Sequence, residues 1–188
     1  MTMCYSYQQA KCAPQTRLGG FTLIELMIAL AIACVLLVSA LPSLRNLYRD
    51  HTLTLQANEL INHINFARST SVLRNIPITL CRTTSETATS CATGSAAWNF
   101  WMIRTNSNSV LYRGRLSPNK SLSQTLNSTS NVIVFGADGL ARINGALASS
   151  GKYFQIIGTN DSEGNSRCLK FGAGTRLQVV KKTGACNG

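Results

Sequence analysis

The stretch from Phe21 to Leu41, FTLIELMIALAIACVLLVSAL, constrains this chain more than any other. Of its 21 residues only Thr22, Glu25 and Ser39 are not apolar. Coiled as a helix, the run is about 30 Å long, the thickness of a bilayer core. No comparable run follows it. The chain therefore carries at most one membrane segment, with the bulk of the protein after it. Glu25 needs its own explanation, because a lone acid near the middle of a bilayer costs about 2.5–3.5 kcal/mol on insertion scales. One explanation is local: an acid near a helix N-terminus is favoured by the helix dipole and can reach toward the headgroups.

Several ordinary readings of this N-terminus compete. A secretory signal would be cut at Val38–Ala40, but its apolar region would be too long and would contain an acid. A lipoprotein signal ending at Cys34 lacks a leucine at the usual distance before the cysteine. A plain membrane anchor stays open. Lys11 and Arg17, with no acid between Met1 and Gly20, favour a cytoplasmic N-terminus. Arg45 and Arg49 on the far side weaken that inference.

The remaining 147 residues from Pro42 to Gly188 suffice for one globular domain. The formal net charge of the chain is +11, from 18 basic and 7 acidic residues. Removing Lys11 and Arg17 leaves +9, so the basic excess belongs to the body of the protein. Such an excess suits an anionic partner, a nucleic acid or a membrane surface. Charged residues are only 13% of the chain, which fits a secreted domain better than a cytosolic enzyme.

Of seven cysteines, Cys4, Cys12 and Cys34 lie in or before the apolar run. Cys81, Cys91, Cys168 and Cys186 remain, and an even number in an exported domain implies disulfides. Three pairings are possible. Cys81–Cys91 with Cys168–Cys186 is favoured, because each pair brackets a polar loop, and closing loops of that size stabilises by about 3 kcal/mol. No zinc site is expected, since no Cys-x-x-Cys occurs and His51 and His63 lie elsewhere.

After Pro42 two sets of residues recur at helical spacing. One is Leu44, Leu47, Tyr48 and His51; the other is Ala57, Leu60, Ile61, Ile64, Ala67 and Ser71. They predict an amphipathic helix that continues the apolar one, kinked at Pro42 and ending near Asn75 ahead of Pro77. Strands are predicted at 76–81, 98–105, 110–116, 131–135, 140–144, 152–159, 167–171 and 176–180. Ser117–Ser130 is polar, with few strand formers, and gives no clear element. Strands after one long helix indicate an α+β fold with the helix packed on a mostly antiparallel sheet.

The sequence holds no catalytic constellation. The two histidines lie 12 residues apart with no nucleophile motif beside them, and the acids are scattered. GADG (136–139) reads as a hairpin turn, because no helix follows it. NDSEGNS (160–166) lacks calcium-ligand spacing and reads as a solvated turn. No enzyme activity, metal or cofactor is expected.

GGFTLIEL, from Gly19 to Leu26, resembles the processing site of type IV pilins and type II secretion pseudopilins. The resemblance implies that a prepilin peptidase cuts between Gly20 and Phe21 and methylates the new amine of Phe21. It implies that Glu25 pairs with that amine on a neighbouring subunit and so guides assembly. The implied organisation is a leader at 1–20, a transmembrane helix at 21–41, its amphipathic continuation at 42–75 and a periplasmic β-rich domain at 76–188. The protein would sit in the inner membrane with a single pass before entering a pilus or pseudopilus fibre.

Downstream, LQANELINHINFARSTSVLRNIPITLC (55–81), WNFWMI (98–103), VIVFGADGLA (132–141) and RCLKFGAGTRLQVVKKTGAC (167–186) resemble the minor pilin group FimT, FimU and GspH. That resemblance implies a subunit that helps initiate or cap a fibre, with other minor pilins and the major pilin as partners through the N-terminal helix. A type II secretion pseudopilus is the alternative setting. Some FimT-like pilins also resemble DNA receptors, with a GRxR pattern in their C-terminal hairpin. Here the matching place reads GTRLQVVKK, where Gln178 stands for the second arginine. Arg167, Lys170, Arg176, Lys181 and Lys182 are then the candidate contacts to double-stranded DNA, since phosphate binding needs only such an acid-free cluster.

Overall fold

The computed structural model describes residues 20–117, 122–148, 151–159, 164–172 and 176–186. The expected leader up to residue 19, most of the 160–166 turn and residues 173–175 lie outside the described residues. The chain divides into two compact units, Met1–Ser43 and Leu44–Gly188.

The first unit is built on the start of helix α1 (Leu23–Arg74). Thr22 caps it: its Oγ1 accepts the Glu25 N–H at 3.3 Å, and its carbonyl accepts the Leu26 N–H at 3.2 Å. Thr22 and Glu25 thereby fit the S/T-x-x-E spacing of a capping box. Every side chain described between Phe21 and Leu41 is exposed. Among the described residues no single helix is long and apolar enough to cross a membrane by itself. The stretches Leu23–Ser39 and Ser43–Arg74 meet that measure only when taken together.

In the second unit α1 buries one face. Leu53, Ala57, Leu60, Ile64, Ala67 and Ser71, three or four residues apart, are all buried. Leu44, Leu47, Tyr48 and His51 share the helical spacing but are exposed. The helix ends in a Schellman turn. Asn75 takes φ 54°, its N–H reaches Val72 O, and the Ile76 N–H reaches Ser71 O, both at 3.2 Å.

Among the described residues ten strands follow, all paired antiparallel. They are β1 (Ile78–Thr83), β2 (Phe100–Thr105), β3 (Val110–Arg115), β4 (Leu122–Leu126), β5 (Val132–Phe135), β6 (Ala141–Ile143), β7 (Ala146–Leu147), β8 (Tyr153–Gly158), β9 (Asn165–Phe171) and β10 (Leu177–Thr183). They form two sheets where one was expected. One has the order β3-β2-β1-β5-β6-β7, the other β10-β9-β8-β4. Strand β4 arises inside the polar stretch 117–130. Its alternate residues Gln124 and Leu126 are buried, and it pairs with β8 through Leu126 and Phe154.

One apolar cluster joins the helix to both sheets, including Leu60 and Ile64 from α1, Leu80 and Ile133 from one sheet, and Phe154 and Leu169 from the other. Trp98 stitches the sheets together. Its ring meets Phe154 edge-on with centroids 4.9 Å apart, and its backbone N–H donates to the Gln124 carbonyl at 2.6 Å. Gly136–Gly139 forms the β5–β6 turn, closed by the Gly139 N–H on Gly136 O. Gly139 (φ 71°) abuts the helix, since a Cβ there would lie 2.9 Å from Val72 Cγ2. Cys81–Cys91 and Cys168–Cys186 are disulfides with Cα atoms 5.6 and 5.7 Å apart.

Candidate functional site: the helix start and the C-terminal hairpin

Two places concentrate the candidate residues. The first is the start of α1. Gly20 is exposed, with open space around it, so the backbone at the expected cut is accessible. Phe21, 85% exposed, lies just ahead of the Thr22 cap. Glu25 occupies the first turn and is exposed like its apolar neighbours. The carboxylate therefore lies one turn from Phe21, at the end of the helix where free N–H groups favour negative charge.

The second place is the β9–β10 hairpin, which does not bring its five basic residues together. In register, Lys181 faces Arg167, Lys182 faces Ser166 and Gln178 faces Lys170. Residues directly opposite share a face and successive residues alternate. Arg167 and Lys181 therefore lie on one face of the sheet, and Lys170 and Lys182 on the other. Arg176 is exposed just before β10.

Arg167 is the clearest departure from the expected DNA set. It is buried, and its Nη2 donates to Asp50 Oδ1 at 2.7 Å and to Thr54 Oγ1 at 3.0 Å. Lys181 Nζ reaches the same Asp50 oxygen at 2.9 Å. Hydrogen bonds from Arg167 first, then Lys181, hold the Asp50 carboxyl below its ordinary range. Arg167 thus ties β9 to α1 and is not presented to a phosphate. Asp50 and Thr54 escaped the sequence reading because 117 and 113 residues separate them from Arg167. A buried arginine must find an acid, but no local signal says which one. Among the described residues, no group of three or more His, Cys, Asp or Glu side chains is placed to hold a metal ion.

A capped apolar helix start, carried by a chain whose later helix packs on antiparallel sheets, defines the class of type IV pilin-like subunits. The prokaryotic N-terminal methylation motif matches residues 17–41, and the profile described as type II transport protein GspH matches residues 56–175, more than half the chain. The chain belongs to the GspH family. It is a member of the type IV minor pilin and pseudopilin group and carries the prepilin methylation motif. Membership implies prepilin processing, anchoring in a membrane and association with other pilins in a fibre.

The fold is similar to that of the type IV minor pilin FimU of Pseudomonas aeruginosa. That crystal structure has a TM-score of 0.52 at 20% identity, covering 70% of this chain and 90% of that one. A second crystal form of FimU gives 0.49 at 20% identity, covering 68% and 92%. No curated protein matches the chain.

Proposed function

We propose that this protein is a non-enzymatic minor pilin that helps initiate or cap a type IV pilus fibre. Prepilin peptidase cuts between Gly20 and Phe21 and methylates Phe21. The cut chain waits in the inner membrane as a single-pass subunit with its β-rich domain in the periplasm. In the fibre, Glu25 pairs with the amine of Phe21 on a neighbouring subunit, and the apolar helix packs against other minor pilins and the major pilin. The observation that carries this reading is the register of Gly20, Phe21 and Glu25 at the start of an apolar stretch whose described side chains are exposed. A cationic amine offsets the cost of a carboxylate in an apolar setting better than the helix end alone does. Two disulfides suit an oxidising periplasm.

Mass spectrometry of the protein from membranes tests the processing: the N-terminal peptide should begin at Phe21 and carry one added methyl group. Glu25→Ala should then leave processing and folding intact and remove the subunit from sheared fibres. Normal incorporation would sink the pairing.

The family description favours a second setting, a type II secretion pseudopilus, in which the same helix start works in protein export. Loss of secretion without loss of pili in a deletion strain would select it. Double-stranded DNA has narrower support. With Arg167 buried and Lys181 on Asp50, the hairpin offers a divided basic surface in place of a single stripe.

A further inference from the structure

His63 has no part in the assembly role proposed above. It is 8% exposed on α1, and Trp101 of β2, 1% exposed, donates its Nε1–H to His63 Nδ1 at 3.2 Å. An indole N–H can only donate, so Nδ1 is the bare nitrogen and the ring is neutral, with its proton on Nε2. The same imidazole lies against Tyr112 of β3, with centroids 4.4 Å apart. Phe66, one turn further along α1, also meets Tyr112, at 6.5 Å. One helix side chain thus grips two strands, and β3 is the edge of its sheet. Gly114 of β3 faces Trp101 in register, and a Cβ there would come within 2.2 Å of the indole. The indole occupies that space, which fixes where its N–H points.

We propose that His63 is an acid-sensitive latch: neutral, it clasps the β2–β3 edge of the six-stranded sheet to α1; protonated, it cannot accept from Trp101 and the edge loosens. Imidazolium would set an N–H against the indole N–H and leave both buried donors without an acceptor. Burial already pushes His63 below its ordinary value, because the charged ring loses hydration.

The charges nearby do not offset this. Glu59 lies one turn before His63 on α1. With Glu86 from the loop after β1, and Arg113 and Arg115 from β3, it lines a cleft of about 350 Å³ bordered by Tyr112. Arg115 lies 3.4 Å from Glu86, and Arg113 donates to the carbonyls of Glu86 and Ala88. Arg82 of β1 is opposite Trp101 in register. Arg113 and Arg115 alternate with Tyr112 and Gly114 along β3 and so lie on its other face, away from His63, and burial is what moves His63.

The sign follows from linkage. Above the unfolded value of about 6.5 both states are neutral and the latch contributes fully. As pH falls below it, the unfolded chain takes up a proton that folded His63 resists, so stability falls. Asp50, a carboxylate held low, loses its contribution only below about pH 4, so the two windows separate.

The test is chemical unfolding of the full chain in detergent micelles, followed by tryptophan fluorescence. Between about pH 7.5 and about pH 5.5 the unfolding equilibrium constant should rise several-fold, up to about tenfold if folded His63 takes up no proton over that range. His63→Gln, whose amide oxygen can accept from Trp101 without titrating, should abolish that dependence. His51→Gln, at an exposed position on α1, should keep it. An unchanged pH dependence in His63→Gln overturns the proposal. Should that variant fail to fold, NMR titration of the His51→Gln chain decides. A His63 that titrates below its ordinary value with Nδ1 unprotonated at neutral pH supports the latch; an ordinary value, or a proton on Nδ1, overturns it.

Discussion

Helix α1 is read by two different environments. From Leu23 to Leu41 it is apolar but for Glu25 and Ser39, and every side chain described there is exposed. From Leu53 to Ser71 the apolar residues keep to one face, and that face is buried. The second stretch brings its own cover in the sheets. The first has to be covered from outside the chain, by lipid or by other helices, because an exposed apolar surface of that extent marks an interaction site. The same secondary structure therefore serves domain stability in one place and membrane or fibre packing in the other.

The largest expected effect tests this division directly. Leu60 is fully buried in the core, and Leu60→Ala should cost about 2–5 kcal/mol of domain stability. Leu30 is exposed in the first unit, and Leu30→Ala should shift domain unfolding by less than about 0.5 kcal/mol. Denaturant unfolding in micelles, followed by tryptophan fluorescence, compares them. Equal losses would erase the distinction between the two stretches.

The ion cluster at Asp50 comes next. Arg167 has a side chain only 6% exposed, whereas that of Asp50 is 33% exposed. Asp50→Ala would strand a buried guanidinium and should cost about 2–3 kcal/mol, below a fully buried pair because water reaches the carboxylate. Lys181, 59% exposed, should cost under about 1 kcal/mol when changed to Ala. A Lys181→Ala loss as large as that of Asp50→Ala would mean that Lys181 carries the cluster.

These pairings show where the sequence was readable. Periodicity gave the buried face of α1 and its end near Asn75, because both are local patterns. The β2–β3 and β5–β6 hairpins were readable from NSNS and GADG for the same reason. Strand β4 was not, because Leu122 and Leu126 are sparse signals in a polar stretch and its partner β8 fixes it from a distance. Spacing alone could not say that Leu44, Leu47 and Tyr48 stay exposed, since periodicity marks a helix face without naming what covers it. The basic run 167–182 looked like one patch; strand alternation and a distant acid divided it.

The smallest expected effects concern the two ends of the helix. Asn75 holds the left-handed turn that closes α1, and Asn75→Ala puts a less tolerant side chain there, costing about 1 kcal/mol. Asn75→Gly should stay within about 0.5 kcal/mol of the parent, because easier backbone geometry is offset by a freer unfolded chain. Thr22 caps the other end, yet Thr22→Ala should leave domain unfolding unchanged, since the cap belongs to the first unit. Its loss should instead fray the turn that holds Glu25, detectable as faster backbone hydrogen exchange at Glu25 and Leu26. If Thr22→Ala lowered domain stability as much as Asn75→Ala does, the two stretches would be energetically one helix, and the start of α1 would not be free to serve assembly alone.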